Sequence, residues 1–199
     1  MPAPWTPAFE LDYARHTTPA ALLKRHTEHA RIFRVAETIA KHLPAVTTVA
    51  DVGCGAIGGM LNVYNGGELR YAVDPLIFEY DCLEHLKSIN ATPKRAFAIE
   101  LPFAGESLDV VFALEVLDHC DSEEVFRESL AELSRVLVSG GLLFFMLPAR
   151  PDAPDGHDGH PCAWVSSKPM LPWIAEAGLQ VLKDKIPRDG TWFVLRKPC

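Results

Sequence analysis

The stretch Thr48 to Asp74, TVADVGCGAIGGMLNVYNGGELRYAVD, constrains the fold more than any other part of the chain. Val46, Val49 and Val52 make a strand-like apolar run into a glycine-rich turn, and a second strand ends on Asp74. That is how an α/β protein builds a nucleoside site. Gly53 and Gly55 let the backbone turn sharply and come close to a ligand, and Gly58 starts the next helix. The carboxylate of Asp74, at the tip of its strand, is placed to accept from two ribose hydroxyls.

Two nucleosides compete for this turn. Gly53-Cys54-Gly55-Ala56-Ile57-Gly58 spells G-x-G-x-x-G, the dinucleotide fingerprint. Asp51 lies two residues before Gly53, however, and a fixed carboxylate there repels a pyrophosphate. S-adenosylmethionine carries an ammonium and a sulfonium and no phosphate, so an acid beside the turn helps it. The order D-x-G-x-G, then an acid ending the next strand, resembles motifs I and II of the class I S-adenosylmethionine-dependent methyltransferases. Leu101-Pro102-Phe103 followed by Ser107-Leu108-Asp109-Val110-Val111 resembles the L-P-F…S-F-D-x-V stretch of their small-molecule, type 11-like branch. Leu114 to His119 resembles its x-x-V-L-x-H motif. Leu133 to Phe145 resembles its L-x-R-V-L-x-P-G-G-x-L segment, with Ser139 in place of the usual proline.

Strand and helix patterns alternate along the chain: strand 46–52, helix near 58–64, strand 69–74, helix near 79–89, strands 95–99 and 108–114, helix 122–138 and strand 142–147. Asp121 with Glu124 forms a capping box for the helix at 122, and Gly140 and Gly141 end it. Upstream, Thr17 or Thr18 caps a helix that begins at Pro19. Ile32, Ala36, Ile39, Ala40 and Leu43 then recur at helical spacing up to Pro44. At the other end, Leu179–Lys183 and Thr191–Arg196 are too close for a crossover helix and must pair antiparallel. The fold class is therefore α/β: a Rossmann-like, seven-stranded, mostly parallel sheet with helices on both faces, closing with an antiparallel C-terminal hairpin. Dehydrogenase sheets usually end on a parallel strand, so the hairpin counts against a nicotinamide-dependent oxidoreductase. One domain over 1–199 is expected, with an N-terminal arm and helices (1–45), a cofactor-binding core (46–147), and an acceptor loop, helix and hairpin (148–199).

Composition narrows the partners. A formal charge of −7 opposes wide nucleic-acid binding. No run approaches the roughly 20 apolar residues of a membrane helix. Five scattered cysteines without a C-x-x-C pair suit reduced thiols in a cytoplasmic protein. A monomer or homodimer acting on a small-molecule methyl acceptor is the expectation.

By the resemblance, the cofactor contacts fall on Asp51, Gly53, Cys54, Gly55 and Gly58 at the turn, with Asp51 meeting the methionine ammonium. Asp74 takes the ribose, Pro75 and Leu76 flank the adenine, and Ala98 and Ile99 sandwich it. The branch's adenine-binding Asp is missing after the third strand, and Glu100 is the alternative partner. The backbone at Ala113 and Leu114, with Glu115 next to it, reaches the methionine portion.

On the acceptor side, His119 and His160 are the candidate bases for an oxygen acceptor, because imidazole titrates near working pH. Tyr13, His157, His160 and Trp164 line the expected acceptor pocket, and the loop Pro148–Trp164 lies at the ligand edge of the sheet. His157, Asp158, His160 and Cys162 match no zinc spacing, and no metal is expected. The N/D-P-P-Y/F motif of amino-methylating nucleic-acid enzymes is absent; Leu114-Glu115-Val116-Leu117 stands there. A non-catalytic S-adenosylmethionine-binding protein and a protein-modifying methyltransferase remain open beside the small-molecule enzyme.

Overall fold

The computed structural model describes residues 11, 15, 17–148, 170–185 and 190–199. Strands β1 (Thr48–Val52), β2 (Leu69–Val73), β3 (Thr92–Lys94), β4 (Leu108–Leu114), β5 (Leu137–Pro148), β6 (Gln180–Lys185) and β7 (Gly190–Arg196) form one sheet in the order β3-β2-β1-β4-β5-β7-β6. β1 to β5 run parallel, while β7 lies antiparallel between β5 and β6. The closing hairpin expected from the spacing is therefore present, with β7 on the inside.

The helices are α1 (Pro19–Phe33), α2 (Val35–His42), α3 (Leu83–Ser88), α4 (Glu123–Val136) and α5 (Met170–Glu176). Alternation along each central strand feeds two cores, one on each side of the sheet. Val110, Phe112, Leu142 and Phe144 point to the layer of Phe33, Val35, Ile39 and Leu86. Val111, Ala113, Leu143 and Phe145 point to the layer of Phe126, Leu130, Trp173 and Ile174. Phe33 crosses Phe144 and Trp192 edge-on at centroid distances of 5.7 and 5.0 Å, which fixes the N-terminal helices to the sheet. Asp109 pins the start of β4 to β1 by accepting from the Thr47 and Thr48 amides, both at 2.8 Å.

Several boundaries differ from expectation. Thr18 does cap α1, accepting from the Ala21 amide. The helix then breaks at Arg34, whose left-handed φ of 50° separates α1 from α2. The break rotates the apolar stripe, so Phe33, Val35 and Ile39 are buried, while Ile32, Ala36 and Ala40 face outward. The helix expected near 58–64 is instead two 3-10 turns, Gly55–Ile57 and Gly59–Asn62, either side of a left-handed Gly58.

The third strand is Thr92–Lys94 rather than 95–99, because the Asp74 amide donates to the Lys94 carbonyl and the chain then leaves the sheet. Ser122, not Asp121, caps α4 and accepts from the Val125 amide, so the Asp121–Glu124 box does not form. Gly140 and Gly141 do not end α4, which stops at Val136. They lie in β5, where the pairing slips between Leu108↔Leu137 and Val110↔Leu142, and Gly140 takes a φ of 83° in the bulge.

Candidate functional site

The sheet order reverses between β1 and β4, and the crevice at their carboxyl ends is the place where open α/β sheets bind ligands. The turn after β1 forms one wall. Its Gly53 and Cys54 amides donate to the Val73 carbonyl, docking the turn on the end of β2. Gly53 has a φ of 72°, and a methyl group there would run into Val116, from the loop after β4. Gly55 is also left-handed, at 59°, yet a methyl group there would meet no atom of the described residues within 4 Å. One glycine is thus required by packing and the other opens onto free space. Gly58 closes the first 3-10 turn and abuts Leu86 of α3, so it faces the core. Cys54 is buried, and burial raises its thiol well above the ordinary range, with Asp74 and Asp51 adding to the rise.

Asp74 and Asp51 have different surroundings. The Asp74 carboxylate accepts from the Gly55 amide at 3.0 Å and from the Leu76 amide at 2.8 Å, so it ties the glycine turn to the segment after β2. Leu76 is buried in that segment, beside a half-buried Pro75. Asp51 is turned inward. It is 3% exposed, accepts from the Met60 amide, and leaves no room for a methyl group on Gly59. Burial pushes its carboxyl well above the usual range; Asp74 pushes the same way and the Met60 amide opposes.

Ala98, Ile99 and Glu100 follow β3 in a turn in which the Glu100 amide donates to the Phe97 carbonyl. Ala98 is half-buried, while Ile99 and Glu100 are exposed at the sheet's ligand edge. Glu132 and Arg135 of α4 brace the following loop. Glu132 accepts from the Leu101 amide at 2.7 Å, and Arg135 donates to the Phe103 carbonyl at 3.0 Å.

The other wall comes from β4. Ala113 and Leu114 are buried, and the Glu115 amide donates to Met146 at 2.9 Å. Glu115 itself has a φ of 57°, a conformation that costs a non-glycine residue about 1–2 kcal/mol. Its carboxylate faces Arg25 at 3.1 Å and His29 at 3.7 Å, both on α1. Sequence reasoning missed these partners, although α1 packs over both 3-10 turns. The only signal was the cluster Arg25, His26 and His29 in a helix otherwise expected to be scaffold. Burial, then the charges of His29 and Arg25, lower His26 to about 4. Burial also lowers His29, against the pull of Glu115.

His119 sits in the 3-10 turn Leu117–His119, with its Nε2 3.9 Å from the buried carboxylate of Asp118. Neither residue caps α4. Tyr13, His157, His160 and Trp164 lie outside the described residues, as do Asp158 and Cys162.

Residues 50–145 match the methyltransferase-domain family model. Over these residues, just under half of the chain, it is similar to the S-adenosylmethionine-dependent methyltransferases. No curated protein matches it in sequence. Among solved structures it is similar to the N-methyltransferase NodS from Bradyrhizobium japonicum WM9 in complex with S-adenosyl-L-homocysteine. That match has 17% identity and a TM-score of 0.65, covering 92% of this chain and 90% of that one. An S-adenosylmethionine-dependent methyltransferase from Clostridium acetobutylicum aligns at 10% identity with a TM-score of 0.64, covering 83% and 89%. The cyclase SpnF aligns at 15% identity with a TM-score of 0.62, covering 83% and 80%.

The family's cofactor, S-adenosylmethionine, fits the residues present. Open space over Gly55 admits a ligand against the backbone, and Asp74 stands at the end of β2 beside it. Among the described residues, no helix is long and apolar enough to cross a membrane.

Proposed function

We infer that the protein is a methyltransferase that acts on a small-molecule acceptor through oxygen, nitrogen or carbon. The observation that carries this reading is the crevice between the glycine turn and the Glu115 loop, which is open over Gly55 and walled by α1. S-adenosylmethionine, when bound, supplies an activated sulfonium methyl group. The protein's task is then to align an acceptor and exclude water. The glycine turn and Asp74 hold the nucleoside end. His119, with its Nε2 3.9 Å from the Asp118 carboxylate, is the candidate to take the proton of an oxygen acceptor. His160, with Tyr13, His157 and Trp164, belongs to the acceptor side in this reading.

The formal charge of −7 and the sequence Leu114-Glu115-Val116-Leu117 oppose a nucleic-acid acceptor. NodS is named an N-methyltransferase, which supports a nitrogen acceptor, for which neutrality of the amine suffices. SpnF is named a cyclase, and this favours one second reading: the fold binds its cofactor while other chemistry, or none, takes place.

The test is incubation with S-adenosylmethionine and a panel of small amines, phenols and carboxylic acids, reading S-adenosylhomocysteine release. Acceptor-dependent release supports methyl transfer. Tight cofactor binding with no release across the panel supports the second reading.

A further inference from the structure

The acid that the family resemblance assigns to the cofactor's ammonium is occupied in this chain. Asp51 is buried, accepts from the Met60 amide and is packed against Gly59. Across the crevice stands a second acid with better access. Glu115 is the first residue past β4, and its side chain is 20% exposed. It holds a left-handed backbone that a non-glycine residue adopts at a cost, which aims its carboxylate at α1.

Three nitrogens on that helix lack a partner among the described residues. Arg25 Nε, His26 Nδ1 and His29 Nδ1 are buried without a hydrogen bond. The His29 side chain is only 7% exposed. Buried polar groups are normally satisfied, and orphaned ones mark a place where a partner is to arrive. Buried nitrogens beside one carboxylate are the complement of a zwitterion: an ammonium for the acid, and carboxylate oxygens for the nitrogens.

We propose that Glu115, Arg25 and His29 form the subsite for the amino-acid end of S-adenosylmethionine, with Glu115 taking the α-ammonium and Arg25 and His29 the α-carboxylate. This rests on the cofactor reading above. In the free protein, Arg25 and Glu115 neutralise each other. A zwitterion offers each of them the opposite charge, so the pair can open without leaving a charge uncompensated. Asp51 is then a scaffold residue that sets the shape of the glycine turn.

The test compares two ligands by calorimetry. S-adenosylhomocysteine carries the amino-acid end, and 5′-methylthioadenosine shares the nucleoside and the sulfur but lacks that end. Glu115→Gln and Arg25→Met are each expected to weaken S-adenosylhomocysteine roughly 10- to 100-fold. Neither should change methylthioadenosine by more than about twofold, within measurement scatter. Arg25→Lys should recover part of the loss.

Equal loss for both ligands would make the cluster a structural clamp on α1 and overturn the proposal. Unchanged affinity for S-adenosylhomocysteine would overturn it as well. A selective loss in Asp51→Asn with none in Glu115→Gln would return the ammonium to Asp51. If wild-type protein binds neither ligand, the cofactor reading itself fails, an outcome distinct from the others. Should Glu115→Gln not fold, Arg25→Met carries the test, since Arg25 is 39% exposed and its removal leaves the core intact.

Discussion

Replacing Gly55 by alanine separates two uses of glycine that look identical in sequence. Its left-handed φ of 59° charges alanine roughly 1–2 kcal/mol. Stiffening the unfolded chain returns about 0.4–1 kcal/mol. No atom of the described residues lies within 4 Å of the added methyl, so they impose no packing penalty. The net loss of stability is about 1 kcal/mol, or roughly 2–4 °C in Tm for a chain of this size. Gly53→Ala suffers the same strain and also a clash with Val116, which adds about 1–3 kcal/mol. Binding should rank the other way relative to stability. The Gly55 methyl projects into the crevice and should weaken S-adenosylhomocysteine by at least about tenfold, the effect of a misplaced methyl against a ligand. Urea denaturation and calorimetry on both variants give the two quantities. If Gly55→Ala binds the cofactor product normally, or loses as much stability as Gly53→Ala, the assignment of Gly55 to ligand approach is wrong.

Asp74→Ala removes charge-assisted acceptors and should weaken S-adenosylhomocysteine by about 1.5–3 kcal/mol; unchanged binding would place the ribose elsewhere. Phe33→Ala empties the contact with Phe144 and Trp192 and should cost about 3–5 kcal/mol in urea denaturation. His26 titrates at about 4 in the folded protein against 6.5 in the unfolded chain. The unfolded state therefore binds more protons between those values, so stability is full above about 6.5 and falls as the pH drops toward 4. Urea midpoints at pH 7.5 and pH 5 should show the drop, and His26→Asn should reduce it. Glu132→Ala removes the acceptor of the Leu101 amide and the carboxylate partner of Arg135, and should cost about 1–2 kcal/mol by the same denaturation assay.

The sequence was legible where a residue's chemistry allows one reading. Glycines that must turn left, an acid ending the second strand, and two strands too close for a crossover located the turn, β2 and the hairpin without tertiary information. It was illegible where packing chose among equivalents. Nothing at Arg34 announces a break, since neither glycine nor proline stands there, and the break alone moved the buried stripe from Ile32 to Phe33. Asp121 and Ser122 are both good caps, and the path of the chain selected Ser122. The alternation Ala96 to Ile99 resembles a strand, yet β3 uses Thr92–Lys94, because the end of β2 fixes where pairing stops. Asp51 was correctly placed beside the turn, while its inward orientation depended on the Met60 amide. The Arg25–Glu115 contact joins residues far apart in the chain, and no local pattern encodes it.

The insertion of β7 between β5 and β6 orders the assembly of the molecule. β6 is synthesised first but has only β7 as a neighbour, so it cannot join the sheet alone. Until β7 docks, β5 keeps an open edge lined by Leu142 to Leu147, an adhesive apolar segment. The hairpin must therefore arrive as a unit, and amide protons of β6 and β7 should be lost to solvent together in one cooperative opening. Any lesion in that hairpin would expose β5 to other chains, so its damage would read out as aggregation before it read out as lost cofactor binding.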